Sequence, residues 1–404
     1  VDEPTDQGGG AALIETRSTG SAEEILVVVP SDVGGSDRVA PGTPVAGLPL
    51  IRRIVLAAER AGWKPLVAGF VPSAVSPWLV GTAAEVLAPG GEPLARSPRR
   101  VLFLPMTVIP QLEWLRRLRE MPVDQEQLYA YGASALVVET AEPGATLAAA
   151  ARCGDMGEAA AALRALFKTA DRSVDAGDRF VLASARDLPA AETWLLQSLI
   201  KPTEGFMSRH FERRISLAIT RRLCPTAVTP NVMTLVSLAV GLVGAPFFLS
   251  SAPGYQLAGA LLFLTHSILD GCDGELARLK FLESRWGAVL DVAGDNLVHS
   301  AVFACMGVGW SLHLHSGWPI LLGGVAIAST LSIAAVVYGR GMRASTDGGP
   351  SSAVSRVADV VVFRDFIYLI VLLAAFGQAH WFVALSAVGA PVFLLLLAWL
   401  GRRR

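Results

Sequence analysis

Four aspartates, Asp270, Asp273, Asp291 and Asp295, recur three and four residues apart within each pair in an otherwise apolar part of the chain, with Gly271, Gly274, Arg278 and Gly287 among them. On helices, each pair projects from one face. Uncompensated charge at membrane depth is expensive, so acids flanked by long apolar stretches need cations, water or protein partners. A divalent metal site is the simplest solution: hard oxygen ligands suit Mg2+ or Mn2+, with one or two ions bridging phosphate oxygens. Arg278, one helical turn beyond Gly274, is placed to clamp a phosphate. The three glycines remove side chains where two helix backbones would approach each other or a diphosphate. The plain alternative is a water-filled path for protons or ions, lined by the same acids.

The elements that must hold these acids follow from the hydropathy. The chain has 404 residues, 52% of them hydrophobic, which is too apolar for an ordinary soluble protein. The excess lies in residues 229–401, whose apolar runs reach the roughly 20 residues needed to cross a bilayer. Six spans are expected, near 230–250, 256–279, 286–310, 317–338, 360–376 and 381–400. Thr229 and Pro230 suit an N-cap followed by proline at the first helical position. The turn at 280–285 would fold the second and third spans together and let the four acids converge. Loops near 251–255, 311–316 and 377–380 lack Lys and Arg, whereas 280–285, 339–359 and Arg402, Arg403 and Arg404 contain them. By the positive-inside rule both termini are expected in the cytosol.

Residues 23–200 read differently. Short β-rich runs (25–29, 65–69, 101–104, 135–139 and 180–184) alternate with amphipathic stretches (49–62, 74–87, 109–119, 157–168 and 188–200). That alternation predicts an α/β domain with a mainly parallel sheet. Residues 1–22 are polar and Gly-rich and are expected to be disordered, with no basic stretch leading into an apolar run and hence no cleavable signal expected. Residues 201–228 form a basic amphipathic connector, suited to a helix at the bilayer surface or to a solvated linker. A net charge of −1 and the lack of a basic, aromatic-interleaved run argue against nucleic acid as a partner. Cys153, Cys224, Cys272 and Cys305 lie far apart and suggest reduced thiols rather than a disulfide framework.

The positions Asp270, Asp273, Gly274, Ala277, Arg278, Gly287, Asp291 and Asp295 match DxxDGxxARx8GxxxDxxxD without a departure. On them, residues 229–404 resemble the CDP-alcohol phosphotransferase family. The resemblance implies transfer of a phosphoalcohol from a CDP-alcohol to an acceptor hydroxyl, with release of CMP and use of Mg2+ or Mn2+. It implies that Asp270, Asp273 and Asp291 bind metal, and that Asp295 completes the site and acts as general base. Gly271, Gly274, Ala277, Arg278 and Gly287 would lie along the CDP moiety, approached by Asn231 from the first span. A homodimer is implied by the resemblance alone. For the acceptor, a lipid or a soluble phosphate ester, Arg209, Arg213, Arg340, Arg343, Arg356, Arg364 and Asp365 are candidates. Each arginine also has a purely topological reading at the cytosolic side.

Residues 25–69 resemble the opening of sugar-phosphate nucleotidyltransferases, since Gly47, Leu48, Pro49, Leu50 and Ile51 keep a GxPLI pattern. The preceding loop, residues 30–38, departs from the compact glycine-rich form, although Gly34, Gly35 and Arg38 remain. Pro105 and Met106 stand where a metal-binding Asp is usual. The resemblance therefore implies a degenerate, scaffolding or regulatory domain, or alternatively a bifunctional chain that makes its own CDP-alcohol. A carboxylate-lined transporter is the reading from another class.

Overall fold

The computed structural model describes residues 24–30, 39–87, 100–173, 175, 177–200, 206–347 and 366–402, with backbone alone at 338, 340–347 and 400–402. The chain divides into two units, Val1–Thr43 with Pro49–Asp187, and Pro44–Leu48 with Leu188–Arg404.

In the first unit, five consecutive apolar residues make β1 (Glu24–Val29), and residues 25–29 are all buried, as a strand covered on both faces requires. Next in the chain, and except for Pro49 part of the second unit, is a hairpin of β2 (Pro44–Val45) and β3 (Leu48–Pro49), its turn residues Ala46 and Gly47 both at positive φ. Helix α1 (Leu50–Arg60) buries Leu50, Ile51, Ile54, Val55, Ala57 and Ala58, the recurrence of one helical face. Burying each of its larger aliphatic side chains contributes about 1.5–3 kcal/mol. The chain continues through β4 (Lys64–Ala68), α2 (Pro72–Leu79), β5 (Glu85–Leu87), β6 (Arg100–Pro105), β7 (Val108–Pro110) and α3 (Leu112–Glu120). Trp63 ties the end of α1 to α3 by donating from Nε1 to the Leu115 carbonyl at 2.9 Å. Then come β8 (Gln127–Ala130), β9 (Leu136–Glu139), α4 (Pro143–Ala151), α5 (Met156–Leu166), β10 (Lys168–Asp171) and β11 (Arg179–Val181).

Seven strands form one sheet in the order β10-β8-β9-β6-β1-β4-β5, with β9 antiparallel to both neighbours and the other pairs parallel. The expected α/β class with a mainly parallel sheet is what forms. Two details differ. The helix expected over 74–87 stops at Leu79, because Gly81 turns the chain at φ +76° and residues 85–87 become an edge strand paired with β4. The strand expected near 180–184 leaves the main sheet and pairs antiparallel with β7.

The second unit is helical: α6 (Leu188–Gln197), α7 (Arg213–Leu223) with a π-turn at Ser208–Glu212 before it, α8 (Pro230–Gly244), α9 (Pro253–Lys280), α10 (Arg285–Leu314), α11 (Trp318–Asp347), α12 (Phe366–Ala375) and α13 (His380–Arg402). Pro230 does open α8, and Thr229 takes the extended N-cap backbone at ψ 158°, without a capping bond from its side chain. Between α9 and α10, Phe281 ends one helix in the left-handed conformation at φ 56°. Ser284 begins the next, its hydroxyl accepting the Gly287 N–H at 2.9 Å.

Among the described residues, four stretches are long and apolar enough to cross a membrane: Pro230–Leu249, Arg285–Leu314, Trp318–Val337 and His380–Trp399. The 28-residue α9 is about 42 Å long at 1.5 Å per residue, but Asp270, Asp273, Glu275, Arg278 and Lys280 crowd its last third. The apolar α12 has ten residues. The core of this unit joins Phe248, Phe263, Val302, Phe303, Ile370 and Phe382, with Phe303 and Phe382 stacked at 6.0 Å between ring centroids.

Candidate active site

The tight α9–α10 turn sets two acid-bearing helices side by side. Carboxylate oxygens of Asp270, Asp291 and Asp295 lie within 4.8 Å of one another. Asp270 is 4% exposed, and Asp291 Oδ1 is buried with no hydrogen-bond partner. Three carboxylates so close repel one another unless a cation joins them, and an orphaned carboxylate oxygen is an acceptor left open for one. The hard oxygen donors fit Mg2+ or Mn2+. Asp273 stands outside this trio: its Oδ2 accepts a hydrogen bond from Thr234 Oγ1 on α8.

Beside the acids is a cavity of about 160 Å³. Asn231 and Thr234 line it from α8, Asp273, Gly274, Ala277 and Arg278 from α9, and Gly287 and Asp291 from α10. A Cβ on Gly287 would come within 3.2 Å of Asn231 Oδ1 and 3.0 Å of Ser284 Oγ, a tight fit that a side chain here could take only by moving one of them. The Arg278 guanidinium folds back along α9, with Nη1 3.3 Å from where a Gly274 Cβ would be. Gly271 turns elsewhere. One residue past Asp270 on the helix, it faces Arg213 of α7, whose Nη1 would lie 3.3 Å from its Cβ.

Arg213, an acceptor candidate, is held by Glu275 of α9, which sequence reasoning passed over. The fully buried Glu275 carboxylate accepts from Arg213 Nη1 at 2.7 Å, Ser216 Oγ at 2.7 Å and Thr220 Oγ1 at 2.6 Å. Arg209 is exposed in the π-turn. Of the other acceptor candidates, Arg356, Arg364 and Asp365 lie outside the described residues, as do the side chains of Arg340 and Arg343. Gly34, Gly35 and Arg38 also lie outside them. Thr234 was equally missed, although it sits one turn after Asn231 on the same helix.

The family model described as CDP-alcohol phosphatidyltransferase matches residues 227–400. Residues 227–400 are a CDP-alcohol phosphatidyltransferase domain. With this domain and its long apolar helices, the protein is an integral membrane protein. The phosphatidyltransferase domain has curated relatives. A bifunctional IPC transferase and DIPP synthase of Thermococcus kodakarensis is 39% identical over 121 residues, 30% of this chain and 27% of the relative. A protein of the same name from Rubrobacter xylanophilus is 37% identical over 147 residues, 36% of this chain and 33% of the relative. The phosphatidylinositol phosphate synthase of Mycobacterium tuberculosis H37Rv is 34% identical over 111 residues, 27% of this chain and 49% of the relative. The chain thus spans a third or less of the two bifunctional relatives and about half of the mycobacterial synthase. Among solved structures, the M. tuberculosis synthase with CDP-DAG bound is 24% identical, with a TM-score of 0.33 over 46% of this chain and 94% of that one. The same synthase in complex with manganese and citrate gives a TM-score of 0.32 at 24% identity, over 46% of this chain and 88% of that one.

Proposed function

We propose that the protein transfers a phosphoalcohol from a CDP-alcohol to an acceptor hydroxyl and releases CMP. The observation that carries this reading is the convergence of Asp270, Asp291 and Asp295 within 4.8 Å, beside a cavity that also holds Arg278 and Asn231. Asp270, Asp273, Asp291 and Asp295 would hold Mg2+ or Mn2+, and the bound ion would supply neutralisation of the diphosphate charge. Arg278 meets the diphosphate with a fixed fork of donors, while Gly274, Ala277 and Gly287 let the nucleotide approach the helix backbones. Asn231 hydrogen-bonds the nucleotide from α8. Thr234 holds Asp273 in one orientation. Asp295 takes the acceptor's hydroxyl proton as that oxygen attacks the β-phosphorus and CMP departs.

The acceptor in this reading is a lipid or a soluble phosphate ester, and the name of the mycobacterial relative supports an inositol phosphate. Arg209, Arg340, Arg343, Arg364 and Asp365 would form its pocket, with Arg213 shared between that pocket and Glu275. We take α9 and the segment that includes α12 as two further spans, giving six, with both termini cytosolic by the positive-inside rule. The domain boundaries near residues 23, 201 and 229 and a homodimer belong to the same proposal.

The first unit is read as nucleotidyltransferase-like and catalytically degenerate. Connections run from β1 and β6 to strands on opposite sides of this pair, the kind of switch point at which such folds bind ligands. After β6, however, come Met106 and Thr107, and no carboxylate. The bifunctional relatives favour a second reading, in which this unit also makes the CDP-alcohol. CTP-dependent pyrophosphate release by the full-length protein separates the two.

The deciding experiment supplies a panel of CDP-alcohols and acceptors to purified protein with Mn2+ or Mg2+, and follows CMP and products by mass spectrometry. Metal-dependent CMP release that Asp270→Ala abolishes is the expected result. Release of no CMP from any donor overturns the reading.

A further inference from the structure

Lys280 is the last residue of α9, and its ammonium reaches out of that helix to the loop that leads into α8. Nζ donates to the Thr226 carbonyl at 2.8 Å and to the Val228 carbonyl at 3.1 Å. Among the described residues it makes no ion pair. The full positive charge is directed at two backbone oxygens, which makes both hydrogen bonds stronger than neutral ones. The loop is itself folded at this point, with the Thr226 hydroxyl donating to the Leu223 carbonyl at the end of α7 at 2.6 Å.

What the ammonium holds is the root of one wall of the cavity. From Val228 the chain passes through Thr229 and Pro230 to Asn231, which lines the cavity from the first turn of α8. That link is stiff. A residue before proline is confined to extended backbone, as Thr229 is at ψ 158°, and the pyrrolidine ring fixes φ of Pro230. The Asn231 side chain makes no hydrogen bond among the described residues, so its amide stands where the backbone beneath it puts it. One turn further along α8, Thr234 is tied to Asp273 of α9, and Lys280 ties the entry to the same helix.

We propose that Lys280 is the positioning residue for Asn231: by gripping the Thr226 and Val228 carbonyls from the end of α9, it sets how far the first turn of α8 stands from the wall that carries Gly274, Ala277 and Arg278. The inference rests on the transferase reading only in taking the cavity for the nucleotide site. Without the ammonium the loop exchanges both bonds for water, and the root of α8 loses its tether. The proline-stiffened link transmits that displacement to Asn231 rather than absorbing it, and the amide leaves the place where it meets the nucleotide.

The test measures the dissociation constant of CDP in the presence of Mn2+, by calorimetry on the full-length protein in detergent, for Lys280→Met, Asn231→Ala and the two combined. Methionine keeps an unbranched stem and removes the charge. Asn231→Ala should weaken CDP binding by about tenfold, the scale of one lost hydrogen bond, and Lys280→Met by about fivefold. The double variant should bind within about twofold of Asn231→Ala alone, since a tether that acts through the amide then has nothing left to position. Independent effects would instead multiply to about 50-fold. Wild-type affinity in either single variant, the multiplied loss in the double variant, or loss of the folded state in Lys280→Met would each overturn the positioning role and leave the transferase reading standing. The expected binding pattern in a protein that releases no CMP from any donor removes the transferase reading alone, and a wild type that binds no CDP removes both.

Discussion

Arg213 Nη1 and Glu275 Oε1 meet at 2.7 Å, one from α7 and one from the acid-bearing helix α9, and the glutamate side chain is fully buried. Taking a carboxylate out of water costs several kcal/mol, which only a well-placed cation and hydrogen bonds offset. Arg213, Ser216 and Thr220 fall on one face of α7 and supply all three partners. The contact therefore fixes the α7 helix against the back of the acid site.

Removing the acid takes away the carboxylate that a partly buried guanidinium and two hydroxyls share. Glu275→Ala should destabilise this unit by about 3–5 kcal/mol, and lower its thermal midpoint in detergent by on the order of 10 °C. Glu275→Gln should lose less, since its amide oxygen still accepts from one of the two hydroxyls. Melts of the two variants beside wild type check the order, and an unchanged midpoint in Glu275→Ala contradicts it.

Asp295→Asn keeps the size of the side chain and removes its ability to take a proton. Turnover should fall by at least about 100-fold, the scale of lost general-base catalysis, while CDP-alcohol binding is largely retained. Equilibrium binding of the donor, read beside CMP release, separates these effects. Wild-type turnover would take the base role away from Asp295.

Thr234→Val deletes the hydroxyl that donates to Asp273 and leaves the volume unchanged. Loss of such a supporting contact typically weakens metal affinity or activity by about 10–100-fold. Titration of activity with Mn2+ should shift to higher concentration. An identical titration curve would mean that Asp273 needs no help from α8.

Gly287→Val places a branched side chain where a Cβ already comes within 3.2 Å of Asn231 Oδ1. Its KM for the CDP-alcohol should rise by about tenfold, close to 1.4 kcal/mol of lost nucleotide contact. Saturation kinetics at fixed Mn2+ read this directly.

What could be foreseen from residue order was whatever repeats locally. Asp270, Asp291 and Asp295 were legible because helical spacing and a short turn suffice to bring them together. Glu275 was not, since its three partners come 55–62 residues earlier and only folding puts them beside it. The spacing of Arg213, Ser216 and Thr220 was the one available hint of a polar stripe. Lys280 gave none, as its partners lie 52 and 54 residues earlier, in the loop before α8. In the first unit, β10 was hidden because its residues are mostly exposed and show no apolar alternation. The end of α2 was misplaced because Gly81 weighed less than the apolar run before it.

The crowding of Asp270, Asp291 and Asp295 reaches beyond chemistry. Bare, these side chains push α9 and α10 apart; bridged, they draw the same two rods together. Supply of divalent ions would then set not only how fast the hairpin works but how firmly it is buttoned shut, so that scarcity would loosen the fold from its most charged point outward.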